Sequence, residues 1–286
     1  MYSYSTTKVG DMLAKLKKNV DCFEDIQSLS DDDVVNLVRL HDLDIAIDLK
    51  GYTRQSRSEL FKVYLAPVQI NWLGYPGTMG CEYIHYILAD DIVIPEEQQK
   101  NYSEKVIYLP DCYQPNDDQR KISPVVKPRI DYGLPADAFV FCCFNQSYKI
   151  SPLELNIWAR VLQRIDHGVL WLLDSNRWAK DNLKKEIVAR GVSADRIVFA
   201  KSLPHDKHLA RLQLAHLTLD TFNVNAHTTA SDSLWAGVPL VTKVGQQFAG
   251  RVAASLLQAI RMPELITETE QNYEKLIIEI ALDSER

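Results

Sequence analysis

Short apolar runs alternate with stretches of helical periodicity through the second half of the chain. The helical pattern at residues 152–164 follows Ser151, a good N-cap, and starts with Pro152, a residue favoured at the first helical position. A second helical pattern, at 179–190, ends at Gly191, a usual C-terminal stop. Strands that alternate with such helices predict a parallel sheet with helices on both faces. The apolar runs that predict its strands are residues 139–144, 169–173, 196–200, 217–220 and 240–242.

The first half of the chain shows the same alternation less regularly. Apolar runs at 44–49 and 68–73 predict strands on either side of a helix at 56–65. Residues 114–135 are polar and rich in proline, which indicates a crossing between two domains. The domain limits that follow are a partial N-terminal domain at 1–120, a linker at 121–135 and a C-terminal domain at 136–286.

The run from His227 to Pro239 lies between a predicted strand and the start of the next one. It places Thr228 and Thr229 at a helix N-terminus, at the carboxyl end of a strand, where α/β sheets hold their ligands. Free backbone N–H groups and the helix dipole favour an anion such as a diphosphate there. Asp232, one helical turn further on, suits a neutral diol such as a ribose. The alternative is an ordinary capped helix, because Ser and Thr are usual caps.

Other loops that follow predicted strands also carry candidate chemistry. Lys149 precedes the capped helix, where its ammonium can offset the charge of a diphosphate leaving group, although a plain surface lysine is the alternative. His205 and His208 are three residues apart and could share a helix face, but a zinc pair has no third ligand nearby. The glycine-rich loop at 72–80 indicates either a close approach of backbone to a ligand or only a tight turn.

Composition narrows the class of protein. The 286 residues carry a net charge of -6, which argues against a general nucleic-acid binder. The 46% hydrophobic and 24% charged residues are typical of a globular protein. The five cysteines have no metal-ligand spacing, which indicates thiols in a reducing compartment. With no signal peptide and no apolar stretch of membrane-spanning length, we expect a cytoplasmic protein that contacts neither nucleic acid nor membrane.

Several motifs are absent. The sequence has no GxGxxG, no Walker motif and no serine nucleophile elbow. Asp42 and Asp44 have the spacing of a metal-binding pair, but they precede their strand, and a helix-to-strand turn explains them better. Asp48 lies at the carboxyl end of that strand and keeps open a phosphatase-like function with an aspartate nucleophile.

A series of short motifs recurs in one order along nearly the whole chain. They are Gly51-Tyr52-Thr53, Ala66-Pro67-Val68-Gln69, Trp72-Leu73-Gly74-Tyr75-Pro76-Gly77-Thr78, Tyr102-Ser103-Glu104-Lys105, Phe144-Asn145-Gln146-Ser147-Tyr148-Lys149-Ile150, Leu170-Trp171-Leu172-Leu173, Leu219-Asp220-Thr221, His227-Thr228-Thr229, Leu234-Trp235-Ala236-Gly237 and Val252-Ala253-Ala254-Ser255. In these motifs the chain resembles the catalytic region of the O-linked N-acetylglucosamine transferases, glycosyltransferase family 41, in a bacterial-type form. So many motifs in register are highly specific.

The resemblance implies an α/β fold of GT-B type, in which two Rossmann-like domains with parallel sheets face each other across a donor cleft. The C-terminal domain would bind the nucleotide sugar, usually UDP-N-acetylglucosamine (UDP-GlcNAc). The sugar would be transferred to Ser or Thr of protein acceptors with inversion at the sugar carbon. The resemblance implies no metal and no other cofactor.

Roles carry over from the family to matching positions of this chain. Lys149 and Gln146 would contact the diphosphate and uridine side, and Thr228 and Thr229 would bind phosphate oxygens. Asp232 would bind the ribose hydroxyls. The remaining donor-binding positions are His208 stacked on the uracil, Leu203 and Arg211 near the base, His205 as a contact of the nucleotide, and His227, Gly74, Tyr75 and Pro76 along the sugar. Lys149 and His227 are the candidate catalytic residues.

The chain also departs from the family. The relative compared most closely has a lysine where His205 stands. Family members carry helical repeats that hold the acceptor, followed by a βα unit with an Asp-Phe-Gly-Asn-His type loop, and this sequence contains neither. We therefore expect a first domain that is incomplete, truncation at both ends, and little or no transfer by this chain alone. Turnover would instead assign the proton acceptor to a residue such as His41, Asp44 or Asp48.

Two further alternatives to transfer from UDP-GlcNAc stay open. One is a related transferase that uses another nucleotide sugar, such as a glucosyl or fucosyl donor. The other is a nucleotide-binding remnant without catalysis.

Overall fold

The computed structural model describes residues 1–5 and 10–283. Contacts divide the chain into two compact units. The first unit comprises Met1–Leu88 and Lys100–Val106, and the second comprises Ala89–Gln99 and Ile107–Arg286. The second unit therefore contains residues 114–135, which the sequence analysis assigns to the crossing between domains, and the domain limits themselves stay a prediction.

Parallel β-structure in two sheets lies mostly in the first unit. A two-stranded sheet pairs β1 with β2, and a four-stranded sheet has the order β3-β4-β5-β6. The pairs β1–β2, β3–β4 and β4–β5 are parallel. The elements are β1 (Tyr2–Ser3), α1 (Asp11–Lys18), β2 (Glu24–Asp25), α2 (Asp31–Leu40), β3 (Ile45–Asp48), β4 (Val68–Asn71), β5 (Tyr86–Ala89) and β6 (Lys105–Tyr108).

One element of the first unit differs from the sequence prediction. The helix predicted at 56–65 is a 3₁₀ helix at Ser58–Val63. The Ser56 hydroxyl accepts from the Ser58 N–H at 3.3 Å, at the start of this segment. Tyr64 then has a φ of 53°, in the left-handed region, and this ends the segment.

The second unit is built on a six-stranded sheet. The order is β12-β11-β10-β7-β8-β9, and each neighbouring pair is parallel. The alternation of strands and helices in the sequence correctly predicted a parallel sheet and five of its strands, whereas β12 was not predicted. Its strands are β7 (Phe139–Cys143), β8 (Gly168–Leu173), β9 (Ile197–Ala200), β10 (Leu217–Leu219), β11 (Leu240–Lys243) and β12 (Ile266–Thr267).

The helices of the second unit begin and end at residues with clear local signals. Ser151 and Glu154 form a capping box at the start of the first of them, with Pro152 at its first position. Gly191, at φ 78°, follows the end of the next helix. The helices are α3 (Pro152–Arg164), α4 (Arg177–Ala189), α5 (His205–Leu212), α6 (Thr228–Trp235), α7 (Val252–Ala259) and α8 (Glu270–Leu282).

Apolar packing around the central strands positions the loops that carry candidate chemistry. Phe144, directly after β7, packs edge-on against the buried Trp171 of β8, with ring centroids 5.1 Å apart. Leu209 of α5 belongs to the same buried cluster. The carboxyl end of β7 and helix α5 are therefore held by one core, which fixes the loop after β7 relative to α5. No helix among residues 1–5 and 10–283 is both long and apolar enough to cross a membrane.

Candidate functional site

The loop after β7 brings Lys149 towards the loop after β10. The chain leaves β7 through Phe144 and makes a 3₁₀ turn at Ser147–Lys149 before helix α3. The Lys149 Nζ donates to the backbone oxygen of Asn225 at 2.9 Å. This contact joins the carboxyl ends of β7 and β10, which are neighbours in the sheet, as expected for a ligand site of a parallel sheet.

Asp220 organises the loop after β10 from a fully buried position. Its Oδ1 accepts from the N–H of Thr221 at 2.8 Å and of Ala226 at 2.6 Å. Its Oδ2 accepts from the Thr242 hydroxyl at 2.6 Å. Three donors on one carboxylate fold residues 221–226 into a fixed loop directly before helix α6.

The charges of Lys149 and Asp220 influence each other. Burial raises the pKa of Asp220 to about 7, whereas its three hydrogen bonds and the Lys149 ammonium oppose the shift. Burial lowers the pKa of Lys149, and the Asp220 carboxylate opposes that shift. A partly desolvated ammonium at this position attracts an anion more strongly than the same group in water.

The N-terminus of α6 is not capped by a side chain. Its N-cap residue is His227, whose side chain makes no capping hydrogen bond. The Thr229 hydroxyl instead donates to Asn145 Oδ1 at 2.5 Å, and Asn145 Nδ2 donates to Thr221. The capped-helix interpretation of Thr228 and Thr229 is therefore wrong. The first amide groups of an α-helix have no partner within the helix, so they remain suited to an anion.

His227 is neutral near pH 7, because burial lowers its pKa to about 4. Its Nε2 lies 3.2 Å from the backbone oxygen of Ala249. A carbonyl only accepts, so Nε2 carries the ring proton and Nδ1 is left as an acceptor. The side chain can therefore accept a hydrogen bond from a ligand hydroxyl or amide.

Helix α5 presents a second group of predicted residues. Arg211 is buried and donates from Nε to His208 Nδ1 at 3.0 Å. Its guanidinium also bonds the Lys201 backbone oxygen and lies 4.9 Å from the centre of the Phe144 ring. Burial and the Arg211 charge lower the pKa of His208 to about 4. Arg211 thus holds His208 as a neutral ring in one orientation.

The Asp232 carboxylate contacts two side chains, an arginine and a histidine. Its Oδ1 lies 3.0 Å from Arg120 Nη1 and 3.0 Å from His205 Nε2. His205 is therefore joined to α6 through Asp232. Leu203 and Gln146 are exposed in their loops.

The loop after β4, in the first unit, carries Gly74, Tyr75 and Pro76. A Cβ atom on Gly74 would lie 2.4 Å from the Leu49 backbone oxygen and 2.7 Å from Lys50 Cα, so only glycine fits there. The Tyr75 ring packs edge-on against Tyr52 at 5.5 Å. Close approach of two backbone segments thus shapes this loop.

Glu104 fixes the far side of the same loop. It is buried and accepts from the Thr78 hydroxyl at 2.7 Å and from the Met79 N–H at 2.5 Å. The loop is thus fixed by the close approach of backbone segments at Gly74 and by the Glu104 hydrogen bonds to Thr78 and Met79.

Asp48 has a structural role. Its Oδ1 accepts from the N–H of Lys50 and Gly51 at 2.9 and 3.0 Å, and its Oδ2 accepts from the Ser58 hydroxyl at 2.6 Å. The side chain is buried, with one oxygen bonded to the turn and the other to Ser58. The phosphatase-like alternative, which requires a nucleophilic carboxylate oxygen, therefore has no support.

The potential metal ligands that lie together in the described part of the chain are not predicted donor-binding residues. Within the described ranges, the one group of three side chains whose ligand atoms lie within 4.8 Å of one another is Cys22, Glu24 and His41. His205 and His208 belong to no such group there, and their hydrogen bonds go to Asp232 and Arg211. The zinc-pair alternative is thus without a ligand set.

Sequence reasoning missed three residues of this region. Asp220 directly follows β10 and Asn145 lies two residues after the end of β7, so the criterion used for the residues selected from the sequence could have found them. Arg120 lies 112 residues from Asp232, and no local pattern indicates their contact.

Comparison with known proteins identifies the family. The sequence model of glycosyltransferase family 41 matches residues 1–123 and 116–286. A probable UDP-N-acetylglucosamine–peptide N-acetylglucosaminyltransferase, SEC of Arabidopsis thaliana, is 36% identical over 288 residues, which cover 99% of this chain and 30% of the plant protein. The UDP-N-acetylglucosamine–peptide N-acetylglucosaminyltransferase of Caenorhabditis elegans is 25% identical over 396 residues, covering 99% of this chain and 34% of that protein.

Solved structures agree with the sequence comparison. A mutant O-GlcNAc transferase of Thermobaculum terrenum superposes with a TM-score of 0.89 at 28% identity, covering 99% of this chain and 54% of that chain. HepE of Anabaena, solved with UDP and glucose, shares the fold alone, with a TM-score of 0.53 at 13% identity. The predicted GT-B class of α/β fold is confirmed. The chain spans about a third of the length of these two curated relatives, and it belongs to glycosyltransferase family 41.

Proposed function

We propose that this chain is an inverting glycosyltransferase module that binds UDP-GlcNAc and transfers N-acetylglucosamine to Ser or Thr hydroxyls of proteins. Family membership and the names of the plant and nematode relatives support the reaction and its donor. The observation that carries the proposal is the hydrogen bond of Lys149 to Asn225, in the loop that leads from β10 into the uncapped N-terminus of α6. Both features favour a diphosphate.

In the proposed reaction the acceptor oxygen forms a bond to the sugar carbon while the bond from that carbon to the diphosphate oxygen breaks. The acceptor loses its proton to a base that stays unassigned. Negative charge develops on the departing UDP, and Lys149 and the first amide groups of α6 stabilise it. Asp220 holds the loop that contains Asn225. Asn225 in turn positions the Lys149 ammonium through its backbone oxygen.

The other predicted residues would contact the uracil, the ribose and the sugar of the donor. His208, held by Arg211, offers a neutral flat ring to the uracil, and Asp232 offers a carboxylate oxygen to the ribose. His227 offers Nδ1 to the sugar. Gln146, Leu203 and His205 stay predicted contacts of the nucleotide, and Gly74, Tyr75 and Pro76 stay predicted contacts of the sugar.

The proposal assigns the leaving-group charge to protein groups, without a metal. Lys149 and the helix amides supply the positive charge that a divalent ion supplies in other transferases. UDP binding is therefore expected to be unchanged in the presence of a chelator. All five cysteines are free thiols, which supports the proposed cytoplasmic location.

Calorimetric titration with UDP tests the donor site, and labelled UDP-GlcNAc with protein acceptors tests transfer. Lys149→Ala should weaken UDP binding roughly tenfold to a hundredfold, since a charge-assisted hydrogen bond contributes about 1.5–3 kcal/mol. Lys185→Ala, an exposed lysine of α4, is the matched control and should bind UDP like the parent.

The outcomes separate the alternatives. Equal UDP affinity in the parent and Lys149→Ala would remove Lys149 from the site. Because little or no transfer is expected from this chain alone, transfer is measured with the chain joined to the preceding segments of a longer relative. Absence of transfer in that fusion would favour the non-catalytic remnant, and transfer from UDP-glucose or GDP-fucose in preference to UDP-GlcNAc would change the donor. A strict requirement for Mn²⁺ would overturn the metal-independent account.

A further inference from the structure

Arg120 lies between the carboxylate of Asp232 and the indole of Trp235. Its Nη1 donates to Asp232 Oδ1 at 3.0 Å, and the two side chains are only 14% and 13% exposed. The guanidinium carbon lies 4.8 Å from the centre of the Trp235 ring. The pair is thus shielded from water on the side of the indole, where ion pairs are screened less than on an open surface.

The backbone around Arg120 is tied to the same helix. The Trp235 Nε1 donates to the Arg120 backbone oxygen at 3.2 Å, and Gln114 Nε2 donates to the Ser231 hydroxyl at 2.9 Å. Arg120 Nε also donates to the Asp117 backbone oxygen at 3.1 Å. Residues 114–120 therefore form a strap along α6 that restricts both ends of the Arg120 side chain.

Two hydrogen-bond partners of the Asp232 side chain contact the same carboxylate oxygen. Arg120 and His205 both reach Oδ1. A carboxylate has a second oxygen with its own lone pairs, so Oδ2 can accept from a ligand while Oδ1 is held. Asp232 also lies one turn from the start of α6, where the proposed diphosphate binds, and the Arg120 charge offsets the repulsion between carboxylate and diphosphate.

We infer that Arg120 is a positioning residue for ribose recognition, which holds Asp232 so that its Oδ2 accepts from the ribose hydroxyls of the nucleotide. This inference rests on the proposed function. It assigns part of the nucleotide specificity to residues 114–120, a segment without a predicted site residue. The Trp235 ring packs against the Arg120 guanidinium and so helps to hold it in place.

The test compares two ligands, UDP and 2′,3′-dideoxy-UDP, which lacks both ribose hydroxyls. Kd values for each are measured by calorimetry with the parent, Arg120→Ala, Arg120→Gln, Arg120→Lys and Lys121→Ala. In the parent, UDP should bind about tenfold or more tighter than the dideoxy ligand. The exposed Lys121 is the matched control, and its variant should keep the parent's affinity ratio.

Loss of Arg120 should reduce the ratio of the two affinities by about fivefold to tenfold, because the misplaced carboxylate no longer serves the hydroxyls. General effects of the lost charge weaken both ligands alike and cancel in the ratio. Arg120→Lys should keep part of the ratio, since lysine retains the charge but not the planar fork. Circular dichroism checks that each variant is folded. If Arg120→Ala unfolds, the affinity ratio is measured with Arg120→Gln and Arg120→Lys instead.

An unchanged ratio in the Arg120 variants, with or without a common loss of affinity, would overturn the inference and leave a purely structural ion pair. If the parent itself fails to bind UDP, the proposed donor site fails, and the inference fails with it. If UDP binds and Lys149→Ala weakens it while the Arg120 ratio stays constant, only the inference fails.

Discussion

Asp48 and Asp220 have the same local arrangement in the two units of this chain. Each directly follows the last apolar residues of a parallel strand and is buried. Each accepts two backbone N–H groups on Oδ1 and one hydroxyl on Oδ2, from Ser58 and Thr242 respectively. In both places a carboxylate folds the loop that leaves the sheet.

The surroundings distinguish the two carboxylates. The Asp48 carboxylate joins the turn at Lys50 and Gly51 to Ser58, the first residue of the 3₁₀ helix at Ser58–Val63. Asp220 lies within Coulombic reach of Lys149, and its loop leads into the uncapped helix α6. A strand-end aspartate closes the loop in both units, whereas the neighbouring Lys149 ammonium makes only the loop after β10 a candidate anion site.

The largest effect is expected from removing these carboxylates. Asp48→Ala and Asp220→Ala should each destabilise their unit by about 3–5 kcal/mol, because three buried donors lose their acceptor. Hydrogen exchange measured by mass spectrometry reports each unit separately. Asp48→Asn and Asp220→Asn, which keep an acceptor for the two amides, are the matched controls and should recover most of the loss.

A cost below about 1 kcal/mol for one alanine variant, beside a large cost for the other, would break the equivalence of the two carboxylates. UDP titration extends the comparison, because only the Asp220 variants should weaken UDP binding.

The first unit's dependence on sterics is tested at Gly74. Gly74→Ala should destabilise that unit by about 3 kcal/mol, since its Cβ would meet backbone atoms at 2.4 and 2.7 Å and the two chain segments must separate. Gly77→Ala is the control, because its Cβ would lie 3.4 Å from the nearest atom, in the Tyr75 ring. Similar unfolding free energies for Gly74→Ala and the parent would show that the close approach is not required.

The second unit's dependence on buried titratable groups is tested by pH. Burial lowers the pKa of His227 from an ordinary 6.5 to about 4, so the folded state binds fewer protons than the unfolded state between these values. Its contribution to stability is complete above pH 6.5 and is lost as the pH falls through 4. Between pH 7.5 and 5 the expected loss is about 2 kcal/mol.

The raised pKa of Asp220 acts in the opposite direction, because stability then decreases as the pH rises from about 4 to about 7. The difference between the parent and His227→Gln isolates the histidine, since glutamine can still donate to the Ala249 oxygen. Chemical denaturation at each pH measures the free energy of unfolding of both proteins. Parallel pH profiles for the two proteins would contradict the assigned shift.

The elements were predictable where local signals agree. Helix α3 begins and ends where the sequence predicts, because the capping box, Pro152 and the apolar periodicity are all local. The α-helix predicted at 56–65 was wrong, because the chain forms a 3₁₀ helix at Ser58–Val63 that ends at the left-handed Tyr64. Apolar periodicity alone does not distinguish so short a 3₁₀ helix from an α-helix.

By itself the sequence determined the class of fold, the candidate anion site at Thr228 and Thr229 and the resemblance to the family, because apolar periodicity, caps and motifs are properties of short segments. Only the tertiary structure decided what each polar side chain does. It moved Asp48 from nucleophile candidate to turn acceptor, and it joined Arg120 to Asp232 across 112 residues. Hydrogen bonds between distant residues depend on where packing of the sheet and helices places their backbones, and no local pattern encodes that distance.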